Sequence, residues 1–308
     1  MKTLLKVLDE FAQKYMELYE KRNTSEKKWF SGGWRRELLD ELASLKFNCC
    51  KANDLLKEVI KGELQLKRNV ISIYASLSHV GAIGVSSGVL YTILEVGISW
   101  DYILDLPVLS GSALKGATRS FALSLCAKLD RTEAMPKCFN SIVRLFGWVE
   151  KPSESEIKEL ETIGIEKKYI KNIIENKVPG QGLITFYDAY PVAYDSQCEC
   201  SLLEPWVMTP HYGSEVEDEY DVSPIPILHV VLKKGTMFSF IISYDDSAEN
   251  HLKELKNAVE NELSVQIPNS HVLLAHLVAS ALEQGIGART SKGYTSFKVK
   301  KIARYRGV

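Results

Sequence analysis

Four residues in the segment VLSGSALKGATRS, residues 108–120, have the types and spacing needed to bind an anion. Gly111 would let a ligand approach the backbone closely, and the hydroxyl of Ser112 could cap a helix or bind a phosphate oxygen. Lys115 and Arg119 follow at helical spacing, so their charges would lie on one solvent-facing edge together with Ser112. Because the unpaired N–H groups of a helix N-terminus also attract anions, the segment predicts a phosphate-binding site.

The position of the lysine distinguishes this segment from the P-loop of nucleotide hydrolases. In the P-loop pattern G-x-x-x-x-G-K-[ST], the lysine directly follows the second glycine and reaches the terminal phosphates. Here Ala117 occupies that position, and Lys115 lies two residues earlier. The chain also has no convincing apolar strand that ends in a magnesium-binding aspartate. A nucleotide hydrolase is therefore disfavoured, and a helix cap with two surface charges is the simpler alternative.

A second segment, GIGARTSKGYTSF at residues 285–297, combines glycines with basic and hydroxyl side chains. It is not a dinucleotide-binding fingerprint, because Thr290 takes the third glycine position and the segment follows a helix and precedes a strand. The segment offers a flexible backbone with basic, hydroxyl and aromatic side chains, and its candidate binding residues are Gly285, Gly287, Arg289, Thr290, Lys292, Gly293 and Tyr294.

Basic residues dominate the C-terminal part of the chain. From Gln284 onward there is no acidic residue and there are seven basic ones: Arg289, Lys292, Lys298, Lys300, Lys301, Arg304 and Arg306. Such clustering is typical of a surface that binds a phosphate backbone. A solvated strand face is the alternative interpretation.

Two histidines are the candidates for acid–base catalysis, for example in RNA cleavage. His79 lies in the segment SHVGAIG, and His211 lies in TPHYG. No neighbouring carboxylate in the sequence orients either imidazole, so a structural role is favoured for both. The sequence predicts no catalytic site.

Evidence for a metal site is weak. The spacing Cys198-x-Cys200 with His211 nearby suggests zinc, but a second cysteine pair of the usual kind is missing. Asp188 and the acidic residues 215–221 could hold a cation, and they could equally form a turn and a solvated loop. No metal and no cofactor are predicted.

Composition and charge limit the class of protein. The chain has 308 residues and a formal net charge of −1, which argues against a uniformly basic nucleic-acid-binding protein but allows a local basic surface. Its six cysteines include the adjacent pair Cys49 and Cys50, and they form no disulfide framework, so reduced thiols are expected. Asp9 and Glu10 interrupt the apolar part that a signal peptide would need, and no apolar run approaches the ~20 residues of a membrane span. We expect a cytoplasmic protein.

Hydrophobic periodicity indicates the elements that position these segments. In chain order they are helices within residues 1–61, strands at 70–77 and 89–99, a helix from about Ser112, a charged and mostly helical insertion at 130–180, a strand at 182–192, a hairpin at 225–243 with its turn at Lys234 and Gly235, helices at 247–263 and 270–284, and a final strand that contains Phe297 and Val299. The core order is strand, helix, strand, strand, helix, strand. This is the βαββαβ ferredoxin-like arrangement of RNA-recognition modules, in the α+β class. We predict an N-terminal helical segment over residues 1–62 and a core over residues 63–308.

Four segments, taken in order, resemble motifs of the RAMP superfamily of CRISPR-associated proteins. They are LPVLSGSALKGATRS, GLITFYDAYPV, WVMTPHYG with SPIP downstream, and GIGARTSKGYTSF. The combination of an F-x-D-A-x-P strand with M-x-P-H-Y is similar to one branch in particular, subunit six of the Cmr (type III-B) effector complex. The resemblance covers roughly residues 65–305.

This resemblance implies a non-catalytic, RNA-binding structural subunit of a CRISPR-RNA-guided ribonucleoprotein that targets complementary RNA in antiviral defence. It implies CRISPR RNA, target RNA and other Cmr-type RAMP subunits as partners, and a position toward the 3′ end of the guide. Phosphate contacts then fall on the four residues of the first segment and on residues 285–294. A RAMP endoribonuclease that processes CRISPR RNA with His79 or His211 as acid or base is the alternative.

Three positions depart from the usual pattern of this family. Ser110 stands where proline is usual, Thr209 where asparagine is usual, and Thr295 where a further glycine is usual. These differences bear on the branch more than on the superfamily, and they bear on the backbone path of the second segment.

Overall fold

A computed structural model describes residues 2–20, 33–86, 88–129, 133–148, 152–175, 180–194, 197–208 and 226–307. The helices are α1 Leu4–Glu20, α2 Gly33–Ser44, α3 Cys50–Gln65, α4 Tyr91–Leu94, α5 Gly111–Cys126, α6 Ala134–Phe146, α7 Glu154–Thr162, α8 Lys167–Glu175, α9 Asp246–Leu263 and α10 Ser270–Gln284. The strands are β1 Phe47–Asn48, β2 Asn69–Leu77, β3 Trp100–Asp101, β4 Leu106–Pro107, β5 Ile184–Phe186, β6 Tyr190–Pro191, β7 Glu199–Cys200, β8 Leu203–Met208, β9 Ile227–Leu232, β10 Met237–Tyr244 and β11 Phe297–Arg306. This mixture of helices and sheet confirms the predicted α+β class.

The central sheet is antiparallel and has the order β11, β2, β10 and β5, with β6 also paired to β10. β2 has the β-branched composition that favours strands, and nearly all of its residues are buried. Both faces of the central strands are therefore covered, although a half-exposed strand would bury only alternate residues. β11 forms one edge of the sheet, and its register against β2 shifts between Val299 and Lys301. The predicted strands at residues 70–77 and at the C-terminus are confirmed.

Helices α5, α6, α9 and α10 pack against one another, and α10 also contacts β2 and β11. α10 begins at an N-cap, Asn269, whose side chain accepts a hydrogen bond from the Val272 N–H at 3.1 Å. It ends before Gly285, which has a φ of 97°, in the left-handed range that glycine adopts without strain. α9 and α10 confirm the two helices predicted at residues 247–263 and 270–284.

The predicted helical insertion is confirmed where the structure describes residues 130–180. α6, α7 and α8 lie in this region. α6 packs between α5 and α9, and it buries eight of its residues, among them Phe139 and Ile142. The first part of the insertion therefore belongs to the main core, although its charged composition suggested an external excursion.

The N-terminal helices also pack onto the main core. Leu4 and Val7 of α1 and Leu38 and Leu42 of α2 are fully buried in it, and α2 contacts β8 and β9. Helices are thus confirmed in the described part of residues 1–61, while the domain boundary at residue 62 stays a prediction. None of the helices within the described ranges is long and apolar enough to cross a membrane.

Three strand predictions need correction. Residues 89–99 form no strand, because the segment contains α4. The residues on the two sides of this helix are joined by a hydrogen bond from the Val89 N–H to the Ile98 carbonyl. β9 and β10 follow one another around the turn at Lys234 and Gly235 but do not pair, since β9 pairs with β8 and β10 pairs with β2. The single strand predicted at residues 182–192 is interrupted between β5 and β6, where Ala189 instead exchanges backbone hydrogen bonds with Leu109.

The expectation of reduced cysteines is wrong for four of the six. Cys49 is joined to Cys200 and Cys50 to Cys198, so two disulfides connect the start of α3 to β7. The cause is the antiparallel pairing of β1 with β7, which continues as a bond from the Cys49 N–H to the Cys198 carbonyl at 2.8 Å. The partners are about 150 residues apart in sequence, so no local pattern indicated their contact. The other two cysteines are free and buried.

Candidate nucleic-acid interface

The first glycine segment forms the N-terminus of α5, where the N–H groups of Gly111 and Ala113 donate to side chains of this chain. Ser110 is the N-cap, and its Oγ accepts a hydrogen bond from the Ala113 N–H at 3.2 Å. The Gly111 N–H donates to the Asp188 carboxylate at 2.7 Å. A helix N-terminus attracts negative charge, and Asp188 supplies that charge here. The predicted helix start near Ser112 is confirmed to within one residue.

The glycine at position 111 serves packing between two backbones. A Cβ atom placed there would lie 2.2 Å from the carbonyl oxygen of Phe186 and 2.9 Å from the carbonyl carbon of Tyr187. The segment between β5 and β6 therefore fills the space that the sequence analysis assigned to a ligand. That interpretation of Gly111 is wrong, because protein backbone makes the close approach.

The three polar side chains of the first segment do not share one solvent-facing edge. Ser112 is exposed and Lys115 is half-buried. Arg119 lies over the indole ring of Trp148, with its guanidinium carbon 5.8 Å from the ring centroid, and its Nε is buried. The predicted open edge is wrong for Arg119, because the helical insertion covers this side of α5.

The second glycine segment is a compact loop held against residues 78–82. The Thr295 N–H donates to the Val80 carbonyl at 2.9 Å, and the Ala82 N–H donates to Thr295 Oγ1 at 2.9 Å. Within the loop, Thr290–Lys292 form a 3₁₀ turn, flanked by Arg289 and Gly293 in left-handed conformations. These bonds fix the ends of the loop, while Lys292 at its middle is exposed.

An aromatic cluster of His79, Trp206 and Tyr294 supports this loop. The ring centroids of His79 and Tyr294 are 5.5 Å apart, and those of His79 and Trp206 are 6.1 Å apart. Trp206 Nε1 donates to the Tyr294 hydroxyl at 2.6 Å. Tyr294 is buried, while His79 and Trp206 are half-buried. Partly exposed aromatic rings beside cations are the combination with which proteins bind single-stranded RNA.

The charge of Arg289 acts on the neighbouring sheet. His229 of β9 lies opposite Trp206 of β8. Burial lowers the pKa of His229, the Ile227 carbonyl opposes this shift, and the positive charge of Arg289 lowers the pKa further. The charge of Arg289 therefore reaches the β8–β9 sheet, to which Trp206 of the aromatic cluster also belongs.

Sequence reasoning found the basic loop and Tyr294 but gave no role to Trp206. The only available signal was its position in the segment WVMTPHYG, because the pairing of β8 with β9 and the contact with residue 294 are long-range. The first and second segments each have their own set of contacts in the structure. Their separate roles as RNA contacts stay predictions.

The remaining candidates divide into those outside the described ranges and those with other contacts. His211 and the acidic residues 215–221 lie outside the described residues. Asp188 binds the N-terminus of α5, and Cys198 and Cys200 are disulfide-bonded, so their thiolates are not available to zinc. In the part of the chain that the structure describes, no group of three or more histidine, cysteine or carboxylate side chains is arranged to hold a metal ion.

Comparison with known proteins identifies the family. The RAMP superfamily model matches residues 76–298. The chain belongs to the RAMP superfamily. It is similar to the CRISPR system Cmr subunit Cmr6 of Saccharolobus solfataricus, at 26% identity over 249 residues, which are 81% of this chain and 63% of that relative. The chain thus spans less than two thirds of the length of this curated relative.

Solved structures extend the comparison to the fold. A chain in the cryo-EM structure of the type III-B Cmr-beta complex bound to cognate target RNA matches with a TM-score of 0.60 and 22% identity, over 89% of this chain and 74% of that chain. Cmr6 from Pyrococcus furiosus matches with a TM-score of 0.36 and 22% identity, over 75% of this chain and 98% of that chain, which is too low for a structural argument. The first match shows that this chain shares the fold of that chain over most of its length.

Two departures from the usual RAMP pattern have visible consequences in the structure. Ser110, where proline is usual, provides the N-cap of α5. Thr295, where glycine is usual, has a φ of 53° and is fully buried. A β-branched residue rarely adopts this conformation, and the hydrogen bond from the Ala82 N–H to its hydroxyl compensates for the strain. Both substitutions therefore add a side-chain hydrogen bond at a motif position.

Proposed function

We propose that this RAMP protein is a non-catalytic, RNA-binding structural subunit of a type III-B Cmr ribonucleoprotein, positioned toward the 3′ end of the guide RNA. The observation that carries this proposal is the meeting of the basic loop with the aromatic cluster. The exposed Lys292 and the neighbouring Arg289 suit phosphate contacts, and the partly exposed rings of His79 and Trp206 suit contacts to bases. Binding of this kind depends on phosphate charge and is largely independent of sequence.

The order of elements supports a ferredoxin-like core as part of the proposal. β2, α5, the β5–β6 segment, β10, the α9–α10 pair and β11 follow one another as strand, helix, strand, strand, helix, strand. In space, the fourth of these strands lies beside the first, and the first beside the third. RNA-recognition modules use this arrangement to present one surface to single-stranded RNA.

The partners that we propose are a CRISPR RNA, its target RNA and other Cmr subunits in the cytoplasm. The similarity to Cmr6 and to a chain of the Cmr-beta complex bound to target RNA supports this assignment. A role in RNA-guided antiviral defence follows from membership of such a complex.

The contacts of His79 support a role in positioning. Its ring packs against Tyr294 and Trp206, and its Nδ1 is buried without a hydrogen-bond partner among the described residues. A general base needs a group that holds the imidazole in one tautomer and orientation. The packing of His79 instead suits a side chain that supports the loop.

The proposal is tested with the double variant Arg289→Ala/Lys292→Ala and a guide-length single-stranded RNA. Fluorescence anisotropy at several salt concentrations gives the affinity and its salt dependence. Loss of two phosphate contacts is expected to weaken binding and to reduce the slope of log K against log[salt] by about 1.4. The matched control is Lys57→Ala/Lys61→Ala on α3, which removes the same charge from exposed side chains.

Two results would contradict the proposal. An unchanged affinity and slope in the loop variant would show that residues 289 and 292 do not contact RNA. Metal-free cleavage of RNA by the isolated protein, lost in His79→Ala but retained in the control, would favour the endoribonuclease alternative.

A further inference from the structure

A cavity of about 940 Å³ lies between α5 and the helical insertion. α5 contributes Lys115 and Arg119, the end of α6 leads to Trp148, and α7 contributes Glu156 and Leu160. The volume lies within the range of about 300–1,000 Å³ that is usual for small-molecule sites. Residues of α5 and α7 form two sides of this space.

Two N–H groups in the cavity wall have no acceptor in the part of the chain that the structure describes. Arg119 Nε and Trp148 Nε1 are both buried, and neither has a hydrogen-bond partner within the described ranges. Buried donors in folded proteins are nearly always paired. The two groups lie close together, because the Arg119 guanidinium is 5.8 Å from the Trp148 ring centroid. They are therefore available to one acceptor in the cavity.

Among the described residues, Lys115 and Arg119 have no tightly bound counter-ion. Burial lowers the pKa of Lys115, and the charge of Arg119 lowers it further. Burial lowers the pKa of Arg119, and Glu156 only partly opposes this shift. The Glu156 carboxylate is exposed and accepts hydrogen bonds from the Ser153 N–H and Oγ in the capping box of α7. An anion between Lys115 and Arg119 would relieve their mutual repulsion.

Part of the remaining wall is apolar, because Leu123, Phe146 and Leu160 line the cavity and are buried. The exposed, oppositely charged Lys158 and Glu159 also line it. The site therefore combines Lys115, Arg119 and an indole N–H with an apolar surface on one part of its wall. A ligand that fits both parts has a multiply charged anionic group on a compact body. A phosphomonoester carries about −1.5 to −2 charges at neutral pH, which matches two cations better than a single carboxylate does.

We propose that this cavity binds one phosphorylated nucleotide, with the phosphate between Lys115 and Arg119 and the nucleoside against the apolar wall. The ligand is either a free nucleoside monophosphate or the phosphorylated terminal nucleotide of an RNA, since both present the same chemistry. The site is separate from the basic loop. In this site Lys115, which lies two residues before the lysine position of a P-loop, would bind the phosphate.

Isothermal titration of the full chain with AMP, adenosine and inorganic phosphate tests this site. AMP is expected to bind saturably, and adenosine and phosphate at least tenfold more weakly, because each lacks one half of the contacts. Lys115→Ala and Trp148→Phe should each weaken AMP binding by about tenfold, the loss typical of one hydrogen bond to a charged group. Trp148→Phe keeps an aromatic ring at this position and removes the N–H donor together with the five-membered ring of the indole. Lys128→Ala, an exposed substitution at the end of α5, is the matched control and should bind AMP normally.

Competition experiments distinguish the two sources of the nucleotide. Short RNAs that carry a terminal 5′ or 3′ phosphate should displace AMP if the ligand is an RNA end, while the same RNAs with hydroxyl ends should not. Displacement by no RNA identifies a free nucleotide. Arg289→Ala/Lys292→Ala should leave AMP binding unchanged, so failure of the RNA-binding proposal and failure of this one give different results. Absence of AMP binding, or equal binding in Lys115→Ala, Trp148→Phe and the wild type, would overturn the proposal.

Discussion

The two glycine segments, residues 108–120 and 285–297, have similar compositions and opposite environments. The first is enclosed, because the Asp188 carboxylate accepts a hydrogen bond from the Gly111 N–H and the helical insertion covers Arg119. The second is anchored by Thr295, which accepts a hydrogen bond from the Ala82 N–H, and its 3₁₀ turn places Lys292 at an exposed position. One segment offers a walled cavity and the other an exposed loop. We therefore assign them different ligands, a single nucleotide and an RNA backbone.

The glycines beside the basic residues of the two segments are needed for two distinct physical reasons. Gly111 is required because the backbone of residues 186–187 passes too close for a Cβ atom. Gly293 instead has a φ of 80°, with nothing within 4 Å of the position of a Cβ atom. The first glycine serves packing and the second serves a turn. Substitutions at the two segments should therefore affect stability and RNA binding differently.

The largest expected effect is that of Gly111→Ala. The new methyl group would lie 2.2 Å from the Phe186 carbonyl oxygen, and a backbone clash of this kind in a packed interior should cost about 3 kcal/mol or more. Urea denaturation measures the loss. Gly116→Ala in the same helix is the control: nothing lies within 4 Å of its Cβ position, so it should stabilise by about 0.5–1 kcal/mol. Equal stability of the two variants would refute the packing role of Gly111.

A smaller effect is expected for Thr295→Val in the second segment. This change keeps the shape of the side chain and leaves the buried Ala82 N–H without its acceptor, which should cost about 1–3 kcal/mol. Because that bond anchors the loop, RNA affinity should fall as well. Thr295→Ser retains the hydroxyl and should preserve both properties. If the Thr295→Val variant is destabilised but binds RNA normally, the loop that Thr295 anchors is not part of the RNA-binding site.

Asp188→Ala tests whether the Asp188 carboxylate occupies the N-terminus of α5 in place of RNA. Removing the carboxylate that binds the Gly111 N–H should reduce the free energy of unfolding by about 0.5–2 kcal/mol, as for other N-terminal caps. RNA affinity should not change, in contrast to Thr295→Val. Asp188→Asn keeps an acceptor oxygen and should lose less stability. A rise in RNA affinity on removal of this carboxylate would indicate that the α5 N-terminus contacts RNA after all.

The smallest effect concerns pH and Arg289. The folded-state pKa of His229 is lowered, first by burial and in part by Arg289, so protonation of this histidine favours the unfolded chain. Its contribution to stability is complete above the unfolded pKa of about 6.5 and is lost as the pH falls. Arg289→Gln raises the folded-state pKa and should reduce this loss.

Urea midpoints between about pH 5 and pH 7.5 measure the change in stability with pH. The control is Lys292→Gln, which removes one charge from an exposed position and should leave the pH dependence as in the wild type. Identical pH profiles for Arg289→Gln and the wild type would place Arg289 away from His229.

Much of the fold could be predicted from local patterns. The apolar periodicity of residues 270–284 and the β-branched run of residues 70–77 correspond to α10 and β2, because these patterns reflect backbone preference and burial over one element. The prediction of a strand at residues 89–99 was wrong, because this segment contains the short helix α4 and irregular structure around it. The prediction that β9 and β10 form a hairpin was wrong, because strand pairing depends on residues distant in sequence. β10 pairs with β2, and β9 pairs with β8.

Local sequence patterns indicated the main helices and strands and the basic character of the C-terminal loop, and the four motifs indicated the superfamily. Long-range packing sets which of these groups are available. It paired Cys49 with Cys200, brought Asp188 to the N-terminus of α5 and placed Trp148 under Arg119. The physical reason is that spacing along a chain encodes the direction of a side chain on its own helix or strand. Its partners come from segments far away in sequence, and these contacts are fixed only when the elements pack.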